Sequence, residues 1–173
     1  MNKGALTVVD STETKLVTVL MGSASDWNTM EHAHALLERF GVPHSCKVIS
    51  AHRTPDLLVS YVREAEAAGT QIFIAGAGLA AALPGAIAAL TTRPVLGVPI
   101  QTGALNGHDA LLAMAQMPPG IPVGALAIGT GGAVNAALMA VAILALNSAD
   151  YDQKLRLYRE EQAAKFTDTT LPC

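Results

Sequence analysis

Leu16-Val17-Thr18-Val19-Leu20-Met21-Gly22-Ser23-Ala24-Ser25-Asp26-Trp27 opens the stretch, residues 16–41, on which the reading of the fold turns. Its first six residues are apolar except for Thr18 and rich in β-branched side chains, which predicts a strand. From Trp27 onward the period changes. Trp27, Met30, Ala33, Leu37 and Phe40 fall near one helical face, Asp26 or Ser25 can cap the start, and Gly41 can end it. A strand, a Gly-Ser turn and a capped helix therefore follow one another directly.

Outward from this unit the alternation continues. Further strands are predicted over residues 44–49, 71–75, 94–98 and 123–128, with longer Ala- and Leu-rich segments between them. A second helix is predicted over residues 54–68, with Pro55 in its first turn and Gly69 as the stop. Repeated strand–helix units of this kind predict an α/β fold around a five-stranded parallel sheet. Residues 80–90 and 133–146 are apolar nearly all round, so both helices need cover on every side, and their small alanines permit close approach; this predicts a homo-oligomer. Residues 150–166 are polar, with Tyr151, Leu155 and Tyr158 at helical spacing, and predict a last helix lying on a neighbouring subunit. The expected organisation is a flexible lead-in over residues 1–15, one domain over residues 16–166, and a frayed tail over residues 167–173.

Composition narrows the function. The chain has 173 residues, about right for one hydrophobic core, with 51% hydrophobic and 14% charged residues, which argues against disorder. A net charge of −3 gives no basic footprint for a phosphate backbone, so a nucleic-acid partner is not expected. The apolar stretch at residues 133–146 is shorter than a spanning helix, so no membrane partner is expected either. Two cysteines, Cys46 in an apolar run and Cys173 at the last position, make no disulfide framework, and a reducing, cytoplasmic location is expected.

In a parallel α/β sheet, ligands sit beyond the carboxyl ends of the strands. The chain places Gly22-Ser23-Ala24-Ser25-Asp26 after the first strand, Ser50-Ala51-His52-Arg53-Thr54-Pro55 after the second, and Gly76-Ala77-Gly78 after the third. Gly22 permits a tight turn, and the hydroxyls of Ser23 and Ser25 lie beside a helix start, a cradle for an anion. Arg53 adds a permanent, planar cation suited to phosphate, and Asp26 a carboxylate suited to a pair of sugar hydroxyls; together they describe a ribose-phosphate. His52, beside Arg53, is the candidate acid/base.

Other readings compete at single motifs. Gly76-Ala77-Gly78-Leu79-Ala80-Ala81 matches a G-x-G-x-x-A dinucleotide fingerprint, but the next strand ends without the acidic residue that would hold a ribose, and Pro84 is expected to interrupt the helix. These glycines, and those at 129–132, are read instead as letting backbone pass close to a flat ligand, although for the latter group tight turning explains as much. His32 and His34, two apart on one helix, point to different sides and cannot share a metal; His44 begins a strand and His108 lies near a helix start, so no metal site is expected.

Taken in order, these motifs, with Pro94-Val95-Leu96-Gly97-Val98-Pro99, Gln116-Met117-Pro118-Pro119-Gly120-Ile121-Pro122-Val123-Gly124 and Asn135-Ala136-Ala137-Leu138, resemble the N5-carboxyaminoimidazole ribonucleotide mutase (PurE) family of purine biosynthesis. The resemblance covers residues 17–146. It implies a three-layer αβα, flavodoxin-like fold, an octamer whose sites draw on more than one subunit, and a reaction without a cofactor. A ribonucleotide and carbon dioxide are the implied partners, because the carboxylate moves from the exocyclic nitrogen to ring carbon four through transient carbon dioxide. By motif, Ser23 and Arg53 would bind phosphate, Asp26 the ribose, and His52 would shuttle a proton, with Ser25 and Ser50 as helpers. Backbone at Ala77 and Gly78 would face the heterocycle, and the apolar residues 80–83, ending at Leu83, would form a dry wall.

One position departs from the family. The mutase branch commonly reads Gly-Gly-Ala-Ala-His-Leu-Pro-Gly where this chain has Gly78-Leu79-Ala80-Ala81-Ala82-Leu83-Pro84-Gly85, so Ala82 replaces a pocket histidine. The sister branch, which carboxylates 5-aminoimidazole ribonucleotide directly, also lacks that histidine but usually carries lysine where this chain has Arg53. Direct carboxylation, and a paralogue that binds ribose-phosphate with reduced catalysis, are the alternatives.

Overall fold

A computed structural model describes residues 14–167; most of the expected lead-in, residues 1–13, and of the tail, residues 168–173, lie outside the described residues. The strands are β1 (Val17–Met21), β2 (His44–Val48), β3 (Ile72–Ala77), β4 (Val95–Pro99) and β5 (Gly124–Ala125). The helices are α1 (Trp27–Phe40), α2 (Pro55–Ala67), α3 (Ala82–Ala88), α4 (His108–Ala115), α5 (Thr130–Ala145) and α6 (Ala149–Thr167). All strand pairs are parallel, in the order β2-β1-β3-β4-β5. Alternate residues of each central strand face opposite layers. Val17, Val19 and Met21 join α1 and α5 in one core, while Leu20, Phe73 and Ala75 join α2, α3 and α4 in the other. The result is the three-layer αβα architecture.

Local chemistry explains most boundaries. Gly41 takes a φ of 68°, its N–H bonds the Glu38 carbonyl, and the Val42 N–H bonds that of Leu37, closing α1 with a glycine stop. Pro55 occupies the first position of α2, where its missing N–H costs nothing. At the start of α1 the expectation needs correction. Ser25 is not the cap and Asp26 makes no forward capping bond; Ser23 instead caps a short 3-10 turn, Ala24–Asp26, and the Asp26 carboxylate accepts from the Ser23 N–H at 3.0 Å.

Three other segments differ from expectation. β5 is two residues long rather than six, because between Leu126, whose N–H bonds Gly97, and Gly129, whose N–H bonds Pro99, this chain spends one residue more than β4 does. That extra residue bulges the edge out of the ladder. Pro84 does not interrupt α3, since the helix begins at Ala82 and proline falls in its first turn, where no intrahelical donor is lost. Cys46 is exposed, because β2 is an edge strand; burial around its sulfur nevertheless pushes the thiol up to about 11.

The apolar helix α5 finds much of its cover within the chain. Ala133, Ala136, Ala137, Ala140, Val141 and Leu144 are buried against α1, the sheet and α6, while Met139 remains 47% exposed. Within the chain, Tyr151, Leu155 and Tyr158 of α6 pack on the core, with the Tyr158 ring 5.6 Å from that of Phe40, while Leu157 of the same helix is exposed.

The turn into α5 is closely packed. A Cβ added at Gly132 would run into the Ala127 backbone carbonyl, whereas one at Gly131 would meet nothing within 4 Å. Gly132→Ala is therefore expected to destabilise the protein by about 3 kcal/mol, and Gly131→Ala to change stability by less than about 1 kcal/mol. Denaturant melts of the two neighbours check this.

Candidate active site

The strand order reverses between β1 and β3, and a crevice opens beyond their carboxyl ends. Three turns meet there. The Arg53 guanidinium donates from Nη2 to the Gly22 carbonyl at 2.8 Å and from Nε to Ser50 Oγ at 3.2 Å, binding the turn after β2 to the turn after β1. The Gly22 N–H donates to the Gly76 carbonyl at 3.3 Å, which ties the first turn to the last residues of β3, from which the third turn leaves. The second turn is braced internally. Thr54 Oγ1 donates to the Ser50 carbonyl at 3.0 Å, and the Ser50 N–H reaches Thr54 Oγ1 at 3.2 Å.

Together the turns enclose a hollow of about 570 Å³. The first contributes Ser23, Ser25 and Asp26, the second Ser50, His52 and Arg53, and the third, with the start of α3, Ala77, Gly78 and Leu83. All nine residues singled out from the sequence line this one space. A hollow of about 770 Å³ at the amino end of β4 holds only the Arg93–Glu66 ion pair, N···O 3.3 Å, among its titratable groups.

The electrostatics follow from the hydrogen bonds. Ser23 and Ser25 place their hydroxyls 3.0 Å apart, and Arg53 keeps the remainder of its five N–H donors for a ligand, so an anion fits between them. Asp26 is only 9% exposed, and burial raises its carboxyl above the ordinary 3.8 against the lowering pull of the Ser23 and Gly22 N–H groups and of Arg53. His52 is exposed on the rim, and its imidazole makes no hydrogen bond among the described residues, which leaves both ring nitrogens for chemistry.

Two features escaped the sequence reading. Thr102, from the loop after β4, lines the hollow; a Cβ at Gly78 would collide with its methyl group, and one at Gly76 would lie 2.5 Å from Met30 Sδ. Packing within the protein is thus enough to exclude a side chain at both glycines. Gly129 turns at a φ of 75° and, like Gly132, lies outside the hollow, so turning and packing account for that segment too. The second feature is backbone strain. Leu79 and Ala81 line the hollow at φ of 56° and 41°, left-handed values that non-glycine residues reach only when the surroundings hold them.

The AIR carboxylase family model matches residues 16–165. The chain belongs to that family. It is 51% identical over 157 residues to the N5-carboxyaminoimidazole ribonucleotide mutase of Pseudomonas aeruginosa, covering 91% of this chain and 96% of that one. The mutase of the same name from Escherichia coli is 52% identical over 156 residues, covering 90% and 92%. Among solved structures, Treponema denticola PurE superposes with a TM-score of 0.81 at 29% identity, covering 88% of this chain and 94% of that one. The family's three-layer fold is therefore this chain's fold, with the crevice at the reversal of strand order.

Because burial disfavours the charged form of Asp26, ionisation there costs stability at every pH above its raised value, and the cost vanishes below 3.8, where the group is protonated folded or unfolded. Asp26→Asn, which can still accept from the Ser23 N–H, is expected to melt at a higher temperature than the parent at pH 7. The difference should close as pH falls below 3.8 in thermal melts across pH.

Proposed function

We propose that this chain interconverts N5-carboxyaminoimidazole ribonucleotide and 4-carboxy-5-aminoimidazole ribonucleotide, an isomerase step of purine biosynthesis. The observation that carries the reading is a single hollow holding a guanidinium, paired serine hydroxyls, a buried carboxylate and an uncommitted imidazole, in a chain about half identical to curated mutases.

The roles follow from position. Arg53 and Ser23 take the phosphate, with Ser25 and Ser50 holding them in place, and Asp26 accepts from the ribose hydroxyls. Ala77 and Gly78 present backbone to the heterocycle and Leu83 closes an apolar wall. The carboxylate leaves the exocyclic nitrogen as carbon dioxide, the bonding pair staying on nitrogen. Ring carbon four then attacks that carbon dioxide, and His52 carries the proton from this carbon to the nitrogen. Atoms and charge balance without a cofactor. Excluding water keeps the carbon dioxide beside the ring.

Ala82 favours a second reading, because it stands in the wall of the hollow where the resemblance implies histidine, and methyl can neither donate nor carry charge. That reading is direct carboxylation of 5-aminoimidazole ribonucleotide by carbon dioxide. Supplying the N-carboxy substrate in one assay and the uncarboxylated ribonucleotide with bicarbonate in another separates the two. Turnover of neither, with tight binding retained, would mark a ribose-phosphate-binding paralogue instead.

The assembly we infer is a homo-oligomer, an octamer on the family resemblance. Its support here is the exposed apolar surface of the last two helices and the turn between them, where Met139 is 47%, Leu146 81% and Leu157 50% exposed. The free Cys46 and the scarcity of cysteine support a cytoplasmic location.

His52→Asn is expected to lower kcat by about 10²–10⁴-fold while substrate affinity stays within a few-fold. Arg53→Ala is expected to weaken binding by about 10–100-fold, the worth of a charge-assisted hydrogen bond or two. Steady-state kinetics with calorimetric binding distinguish the two effects; an unchanged kcat in His52→Asn would remove the histidine from the mechanism.

A further inference from the structure

Away from the crevice, toward the opposite end of the sheet, α1 and β2 bring two imidazoles and a thiol together. His34 Nδ1 lies 2.7 Å from His44 Nε2, and His44 Nδ1 lies 2.7 Å from the Val42 carbonyl. One donor atom from each of His34, His44 and Cys46 lies within 4.8 Å of the other two. We propose that His34, His44 and Cys46 form a binding site for a tetrahedral first-row metal ion, with zinc(II) as the ion their donors fit.

Each ligand is oriented for the task by a different contact. A carbonyl can only accept, so His44 Nδ1 carries the proton given to Val42, and its Nε2 presents a lone pair toward His34. A backbone carbonyl behind one ring nitrogen, with the other free to coordinate, is the outer-shell arrangement that fixes metal-bound histidines. His34 is flanked by Trp27, ring centroids 5.5 Å apart and tilted by 42°, which restricts its imidazole. Cys46 follows His44 by two residues on β2, so both side chains leave the strand on the same face. Three protein ligands leave one position of the tetrahedron, which water completes.

The distances set what binding requires. Zinc–nitrogen bonds of about 2.0–2.1 Å in a tetrahedron put two ligand nitrogens roughly 3.3 Å apart. The imidazoles at 2.7 Å therefore separate by about 0.6 Å; His34 shifts its proton from Nδ1 to Nε2, the Cys46 thiol releases its proton to solvent, and one N–H···N hydrogen bond gives way to two Zn–N bonds and one Zn–S bond. Two nitrogens and a sulfur suit zinc and exclude magnesium or calcium, which take oxygen. The role is structural. His44 and Cys46 begin the edge strand whose far end leads to Ser50 and Arg53, and α1 starts beside Asp26, so an ion here clamps together the two elements that carry the crevice's anion-binding turns.

The test uses the full chain, freed of metal by chelation and kept reduced, titrated with cobalt(II) as a spectroscopic stand-in and then with zinc(II). The expected result is a tetrahedral cobalt spectrum with a thiolate-to-cobalt charge-transfer band, saturating at one ion per chain and bleached by zinc. Cys46→Ser should lose that band and weaken binding at least tenfold, His34→Gln should weaken binding at least tenfold, and Cys173→Ser should behave as the parent. Zinc at a hundredfold excess over its Kd should raise the melting temperature by about 5–10 °C in the parent and far less in Cys46→Ser. Absence of the band, its loss in Cys173→Ser with retention in Cys46→Ser, or binding unchanged by both cluster variants overturns the site. None of these readouts depends on turnover, so they stand apart from the reaction assigned to the crevice.

Discussion

The Arg53 guanidinium on the Gly22 carbonyl, at 2.8 Å, joins two turns that are far apart in sequence and adjacent in space. They are adjacent because β1 pairs in parallel with both β2 and β3, so the carboxyl ends of three strands lie side by side. A parallel ladder sends each connection back through a helix and delivers every following turn to the same sheet edge. The serines, the carboxylate, the guanidinium and the imidazole then share one hollow without any long loop having to be ordered.

Rigid surroundings hold the rest of the crevice. Leu79 and Ala81 adopt left-handed backbone in its wall, and the neighbouring segment leaves room for little else: Met30 fills the space beside Gly76, and Thr102 that beside Gly78. Backbone strain of about 1–3 kcal/mol per residue persists only where packing over-determines the conformation. The burial of Asp26 has the same character, a local cost borne at the place where polar groups converge.

The two ends of the first β-α-β unit carry different chemistry. At the carboxyl end of β1 and β2, hydroxyls and a guanidinium face an open hollow, as a charged ligand requires. At the amino end of β2, two imidazoles and a sulfur crowd against α1 in a partly buried cluster. The same helix spans both, so whatever fixes α1 against the edge strand also fixes the frame on which the anion-binding turn is built.

The sequence by itself determined the strand–helix alternation, the stops at Gly41 and the start at Pro55, and the residues of the candidate site, because period, proline and glycine act over a few neighbouring residues and the turns after parallel strands converge by topology alone. Tertiary structure decided what depends on partners distant in the chain. The bulge that shortens β5 needs β4 beside it, the glycines at 76 and 78 answer to Met30 and Thr102, and Thr102 enters the hollow only through the loop after β4. The His34–His44–Cys46 cluster was invisible for the same reason. Histidines compared along one helix point apart, and only the packing of that helix on the next strand turns one of them toward its partners.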